Sequence, residues 1–255
     1  MIDSTHRFSD RVDNYVKYRP NYPAAVLEVL SQETGLTSAS RVADIGSGTG
    51  ISAKLFLKAG CTVLGIEPNR EMRRAAEKML QDYPAFHSIT GTAEATTLPA
   101  ESVDYVVAAQ AFHWFDLPAA KREIFRILKP GGWLVLMWNS RRMSSTPFLQ
   151  AYESLLQKYG TDYAAVGHRI VNRPALEAFA NGNLELRKLY NEQIFDFQGL
   201  KGRLLSSSYV PKEGHASFQP MMDKLTQLFK QHNDNGFIRI EYDTELYWSR
   251  YCDDS

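Results

Sequence analysis

The stretch "VADIGSGTG" (42–50) sets Asp44 two residues ahead of Gly46, and Gly46, Gly48 and Gly50 alternate through what reads as a strand-to-helix turn. Glycines there allow a tight bend and let a ligand approach bare backbone, while the following helix opens with N–H groups that attract an anion. Dinucleotide sites use the same device as GxGxxG, but here the third glycine comes one residue early and Ile51 holds the later place. A carboxylate at Asp44 opposes a pyrophosphate and suits a ligand that presents an ammonium group. S-adenosylmethionine has that ammonium, a carboxylate for the amides, and no phosphate. The plainer reading, an ordinary turn with a chance acid beside it, stands next to this one.

Glu67 ends the next apolar run, 17 residues after Gly50. An acid at that strand tip accepts hydrogen bonds from both hydroxyls of a ribose, which supports an adenosine ligand without separating a sulfonium cofactor from a nicotinamide one. "GTAEATTLP" (91–99) brings Thr92 and Glu94 around the small Ala93, either facing an adenine edge or forming a bare surface loop. "AAQAFHWF" (108–115) emerges from another apolar run and carries His113, a candidate base near neutral pH or a packed rim residue. Trp114 and Phe115 read as pocket wall or core. The sequence has no HExxH, no GxSxG and no metal-spaced Cys/His cluster, so neither a metal nor a covalent nucleophile is expected. The Asn/Asp-Pro-Pro-aromatic and Pro-Cys patterns of nucleic-acid methyl transfer are also missing.

These residues need a frame. Between 41 and 140 strand and helix patterns alternate: strands at 41–45, 61–67, weakly after 86, 103–110 and 133–139, with helices after Gly50, over 69–83 and over 118–128. Asn69 is a good N-cap, and "KPGG" reads as the turn before the fifth strand. That cadence predicts βαβ units, a mostly parallel sheet and a ligand rim at the carboxyl ends of the strands. Beyond 140 the rhythm changes to helices at 147–160, 173–180, from 200 and at 218–233, with extended runs at 184–197 and 236–251. Two further strands then close the sheet, and the helices cap the rim. The reading is one domain over 1–255: lead-in helices to 40, a cofactor core over 41–140, a cap with the sixth strand over 141–235, and a last strand at 236–251.

Lys+Arg and Asp+Glu are both 29, which lacks the basic excess that phosphate backbones demand, so no nucleic-acid partner is expected. The longest apolar runs fall far short of the roughly 20 residues of a bilayer span, and the polar start has no secretory core, so the expectation is a cytoplasmic protein with no membrane partner. Cys61 and Cys252 form no recognisable scaffold, and nothing in the sequence sets an oligomeric state.

Taken together, "VADIGSGTG", "GIEPN", "GTAEATTLP", "SVDYVVAAQAFHWF" and "RILKPGGWLVL" resemble, in order and spacing, the class I S-adenosylmethionine-dependent methyltransferases of the small-molecule group. The lead-in "FSDRVDNYVKYRPNYP" (8–23) is similar to that of the branch containing the trans-aconitate methyltransferases. The resemblance implies a Rossmann-like α/β fold, with a mostly parallel seven-stranded sheet and a helical cap in the C-terminal half. It implies methyl transfer to a small molecule, carboxylate or hydroxyl oxygen favoured, with S-adenosylhomocysteine as product. Gly46, Ser47 and Gly48 would line the methionine portion, with Asp44 anchoring the turn. Glu67 would grip the ribose; Pro68, Met72, Ala93 and Glu94 would border the adenine, with Thr92 where many relatives have Asp. Gln110 and Ala111 would lie near the methionine chain, while Tyr18 and Arg19 close over the cofactor. Tyr209, His168 and Arg169 of the cap read as solvated surface rather than substrate contacts. The rival readings are a nicotinamide oxidoreductase and a methyltransferase fold kept only for binding.

Overall fold

A computed structural model describes residues 16–163, 173–180 and 183–251. The elements run α1 (Ala25–Thr34), β1 (Arg41–Ile45), α2 (Ile51–Lys58), β2 (Thr62–Ile66), α3 (Arg70–Met79), β3 (Phe86–Ile89) and β4 (Val103–Ala109). They continue with α4 (Leu117–Ile127), β5 (Leu128–Arg141), α5 (Pro147–Tyr159), α6 (Arg173–Ala180), β6 (Glu185–Phe195), α7 (Phe197–Leu205), α8 (Phe218–His232) and β7 (Ile238–Arg250). The strands form one seven-stranded sheet in the order β3-β2-β1-β4-β5-β7-β6. β1 to β5 are mutually parallel, and β7 runs antiparallel between β5 and β6. This is the mostly parallel sheet that the alternating pattern predicts, in the Rossmann-like form that the resemblance implies.

Alternation along each strand sorts side chains to two faces. Ala43, Ile45, Leu64, Ile66, Val106, Leu134 and Leu136 pack on one face with α4 and α6. Val42, Val63, Tyr105, Val107, Val135 and Met137 pack on the other, beneath α1 and α2. A third apolar cluster joins α5, α7 and α8 to Phe195 of β6 and to Ile238, Ile240 and Tyr242 of β7. The expected cap therefore divides. α6 leaves it for the sheet, where the Phe179 ring meets Phe112 edge-on at 4.6 Å.

Two boundaries differ most from the sequence reading. The third helix stops at Met79 instead of running to 83, where Pro84 ends helical continuation. The fifth strand is twice the expected length. "KPGG" does not break it, because Gly131 takes a left-handed φ of 75° and the pairing with β4 shifts register between Val103 and Tyr105. At its other end, β7 holds the strand extended as far as Arg141, paired with Tyr242. That extension carries Asn139, Ser140 and Arg141 out over the rim.

Helix starts are fixed by side chains: Asn69 accepts from Met72 N–H, Asp116 from Ala119, Thr146 from Leu149 and Asp196 from Gly199. Among the described residues no helix is long and apolar enough to cross a membrane, and no group of three or more His, Cys, Asp or Glu is placed to hold a metal ion.

Candidate active site

Strand order reverses where β1 lies between β2 and β4, and the glycine turn leaves β1 at that point. Gly46, Gly48 and Gly50 all have positive φ, at 69°, 55° and 85°. They do different work. A Cβ on Gly46 would lie 2.5 Å from Ala111 Cβ, and one on Gly50 2.7 Å from Leu80 Cδ1, so both glycines serve close packing. A Cβ on Gly48 would meet nothing nearer than the Gly46 carbonyl at 4.0 Å, so Gly48 presents bare backbone to open space.

Glu67, just beyond β2, is buried and reaches back across the turn. Its Oε2 accepts from Gly48 N–H at 3.0 Å and its Oε1 from Asn69 N–H at 2.8 Å. Burial pushes its carboxyl up, while the Asn69 and Gly48 amides and the Arg73 charge pull the other way. Each oxygen retains a lone pair beyond these bonds. Arg73 Nη1 donates to the carbonyls of Glu67 and Pro68 at 2.7 and 2.8 Å, fixing the strand tip.

Asp44 sits wholly inside, behind the turn. Its Oδ2 accepts from Ser52 Oγ at 2.6 Å, and its Oδ1 is buried with no hydrogen-bond partner. Burial raises its pKa from 3.8 to about 7; the Ser52 bond opposes this, the Glu67 charge adds to it, and the Ala53 amide opposes it.

A cavity of about 560 Å³ opens at this rim. Arg19, Gly46, Gly48, Glu67, Pro68, Met72, Thr92, Ala93, Glu94, Gln110, Ala111 and His113 all line it. Gln110 follows β4 in a left-handed conformation at φ 58°, a strain of roughly 1–3 kcal/mol for a non-glycine residue. Its N–H donates to Met137 O at 2.9 Å and its side-chain Nε2 to Asn139 O at 3.3 Å, which ties the end of β4 to β5. Glu94 accepts from Asp116 N–H at 2.9 Å, so the adenine-side loop is pinned to the start of α4. His113 follows on a short 3₁₀ turn with its ring 4.8 Å from that of Trp114.

The far end of the cavity is built from other elements. Arg141 at the tip of β5, Tyr163 after α5, Arg203 of α7, Ser208 and Tyr209 after it, and Tyr242 of β7 line it; Trp138 and Tyr247 also line the cavity, their rings 5.8 Å apart. Arg141 pairs with Glu153, lies 5.2 Å from the centre of the Tyr152 ring and donates to Tyr163 OH at 3.1 Å. Tyr163 in turn donates to Glu153 at 2.6 Å, and burial together with that carboxylate holds its phenol protonated far above the ordinary range.

The family model described as a methyltransferase domain matches residues 43–136, the stretch that carries the turn, Glu67, the 91–99 loop and His113. Residues 43–136 are a methyltransferase domain of that family. The chain is 33% identical over 159 residues to an uncharacterized methyltransferase of Schizosaccharomyces pombe, covering 62% of this chain and 61% of the relative. It spans about three fifths of the length of the first curated relatives it matches. A solved structure from Anaeromyxobacter dehalogenans, a candidate type II methyltransferase, shares the fold with a TM-score of 0.68 at 20% identity, over 91% of this chain and 98% of that one. The phosphoethanolamine N-methyltransferase 2 of Haemonchus contortus, solved with phosphomonomethylethanolamine and S-adenosylhomocysteine, shares it with a TM-score of 0.60 at 14% identity, over 98% of this chain and 59% of that one.

Three expected site residues of the methyltransferase domain and its lead-in stand away from the cavity surface. Asp44 is enclosed behind the turn and touches Ser52, so it braces the turn instead of meeting a ligand ammonium directly. Ser47 is buried, and its N–H is already bonded to Ile66 O at 3.1 Å alongside that of Gly46 at 2.8 Å. Tyr18 does not close over the cavity. Its ring packs on Phe195 at 6.5 Å and over Gly202, where a Cβ would lie 2.1 Å from the ring, so it seats the lead-in on the cap. Arg19 beside it does line the cavity, and donates to Ser206 O at 3.0 Å.

Tyr209, expected on the surface, lines the cavity, its ring 4.9 Å from that of Tyr163. His168, Arg169 and Cys252 lie outside the described residues. Arg141, Arg203 and Tyr242 were not singled out from sequence. One signal for Arg141 was present: a last strand alternating over 13 residues needs a partner of comparable length, which forces β5 past Asn139. No comparable signal marks Arg203, an arginine in an ordinary helix.

Proposed function

We propose that the chain transfers a methyl group from S-adenosylmethionine to a small-molecule acceptor, with a carboxylate or hydroxyl oxygen the favoured recipient. The observation that carries this is Glu67: a buried carboxylate at the tip of β2, braced by Gly48 and Asn69 amides and facing a cavity beside open glycine backbone. One further feature fits the cofactor: the open space at Gly48 leaves room for a ligand against the backbone.

When bound, the cofactor supplies an electrophilic methyl on a sulfonium. The chain's own part is to bind, orient and dry the site. Glu67 accepts from the ribose hydroxyls, Pro68, Met72 and Ala93 border the base, and Arg19 stands where it meets a carboxylate. Trp114, Phe115, Trp138 and Tyr247 add aromatic lining that dries the cavity. His113 takes the proton of a hydroxyl acceptor, or orients a carboxylate that has none to lose. A cavity of about 560 Å³ matches small-molecule sites and not a macromolecular groove.

The test is incubation with methyl-labelled S-adenosylmethionine and a mixture of small metabolites, followed by mass spectrometry. A labelled small-molecule product with release of S-adenosylhomocysteine supports the reading. Tight NAD binding with no S-adenosylhomocysteine binding would replace it with an oxidoreductase, and cofactor binding without any product would leave a binding module.

A further inference from the structure

Arg203 is 8% exposed, yet no carboxylate lies within ion-pair distance of it among the described residues. Its Nε donates to Tyr242 OH at 3.2 Å, and its Nη1 to Ser207 Oγ at 3.2 Å and Ser206 Oγ at 3.4 Å. These neutral partners orient the guanidinium without neutralising it. Nη2 makes no hydrogen bond among the described residues, and Arg203 lines the cavity. A buried cation is normally paired, because leaving it without a counter-charge costs several kcal/mol. The residue stays in place because α7 is anchored from both ends: Asp196 caps its start, and Tyr18 packs over Gly202 one residue before Arg203.

A second guanidinium faces the same end. Arg141 is 12% exposed on its side chain and uses Nη2 for Glu153 and Tyr163, while its Nη1 is buried with no hydrogen-bond partner. The acids of the cavity are committed elsewhere. Glu67 is held by amides of its own turn, Glu94 by Asp116 N–H, and Glu245 faces Lys188 at 3.3 Å. Two cations with spare donors therefore share one end of a cavity whose other end carries the cofactor features.

We propose that Arg203 and Arg141 form an oxyanion anchor for the methyl acceptor, so that the acceptor is a small acid carrying a carboxylate or a phosphate group. This rests on the methyltransferase reading of the cavity. The forked donors of arginine match the paired oxygens of either group, and the bound anion supplies the charge that Arg203 lacks. Tyr209 and Ser208 beside it offer hydroxyls to the same group.

The experiment is calorimetric titration of S-adenosylhomocysteine-loaded protein with succinate, benzoate, phosphoethanolamine and inorganic phosphate, with neutral succinamide as control. The anchor predicts that at least one oxyanion binds, that succinamide does not, and that Arg203→Met weakens the oxyanion at least tenfold while the affinity for S-adenosylhomocysteine stays within twofold. Arg203→Lys, which keeps charge but loses the fork, should fall between. Arg141→Met serves as the second variant should Arg203→Met fail to fold, and is expected to weaken the oxyanion several-fold. Preference among the carboxylates or the phosphates assigns the acceptor class. Oxyanion affinity equal in wild type and both variants, or no oxyanion bound by a wild type that binds S-adenosylhomocysteine, overturns the anchor and leaves the cofactor reading standing. No S-adenosylhomocysteine binding at all overturns the cofactor reading instead, and the same titrations on unloaded protein then decide whether Arg203 binds anions.

Discussion

Gly46, Gly48 and Glu67 come from a single βαβ unit, and backbone amides set the geometry between them. Arg141, Arg203 and Tyr242 come from β5, α7 and β7, and side chains set theirs. Both groups line one cavity. The first end is a local device, whose shape follows from glycine torsions and one strand-tip acid. The second exists only after the whole chain has folded, because its parts meet through long-range contacts. Arg203 Nε donates to Tyr242 OH at 3.2 Å, and Tyr242 OH to Gln193 Oε1 at 2.9 Å. A fold that keeps one cofactor and varies its acceptor can divide the labour this way, with the ligand in common held by backbone and the variable one by replaceable side chains.

The sharpest way to break this division is at Glu67. Glu67→Ala removes two charge-assisted acceptors for the ribose, each worth about 1.5–3 kcal/mol, and should weaken cofactor binding by at least about 100-fold by calorimetry. Glu67→Gln, which keeps the volume and one acceptor, is the control for the orphaned Gly48 and Asn69 amides. If the acceptor end discriminates independently, relative rates among acceptors stay unchanged in both variants.

Asp44 tests the turn from within. Its carboxyl is raised from 3.8 to about 7 mainly by burial, so the folded state holds the proton more tightly than the unfolded state. Stability is then greatest at low pH and is lost as pH rises toward about 7. Asp44→Asn has no proton to lose. Urea melts should show wild type losing on the order of 2 kcal/mol relative to the variant between about pH 5 and about pH 8. Parallel pH curves would show that Asp44 is not held neutral.

His113 lines the same cavity. His113→Ala should lower kcat about tenfold, near 1.4 kcal/mol of transition-state stabilisation, with cofactor affinity within twofold. Unchanged kinetics on the true acceptor would make it a packing residue. The smallest effect is expected at Asn191, which donates to Asn21 O at 2.7 Å and Asn139 Oδ1 at 3.1 Å. Asn191→Ala should cost about 1 kcal/mol of stability by thermal melt and leave cofactor affinity alone.

The same contrast governs what the sequence reveals. β1 and α6 were readable to the residue, because a short apolar run before glycines and a helical period leave few alternatives. The turn and the place of Glu67 just past β2 were readable because their spacing is local. Tyr18 was misplaced because its neighbours, Phe195 and Gly202, lie far along the chain. Ser47 was misplaced for a subtler reason: its amide is consumed by Ile66 O, a partner that only the register of β1 on β2 supplies. Arg203 has no signature at all in sequence, since being buried without an acid is a property of the assembled cavity.

The central claim is that the strand-tip acid and the open glycine hold a sulfonium nucleoside. Titrating S-adenosylhomocysteine into wild type and Glu67→Gln, with NAD alongside, tests it most directly. The account predicts micromolar binding to wild type, clear weakening in the variant and no heat from NAD; equal affinity in the two proteins, or NAD binding in place of S-adenosylhomocysteine, would contradict it.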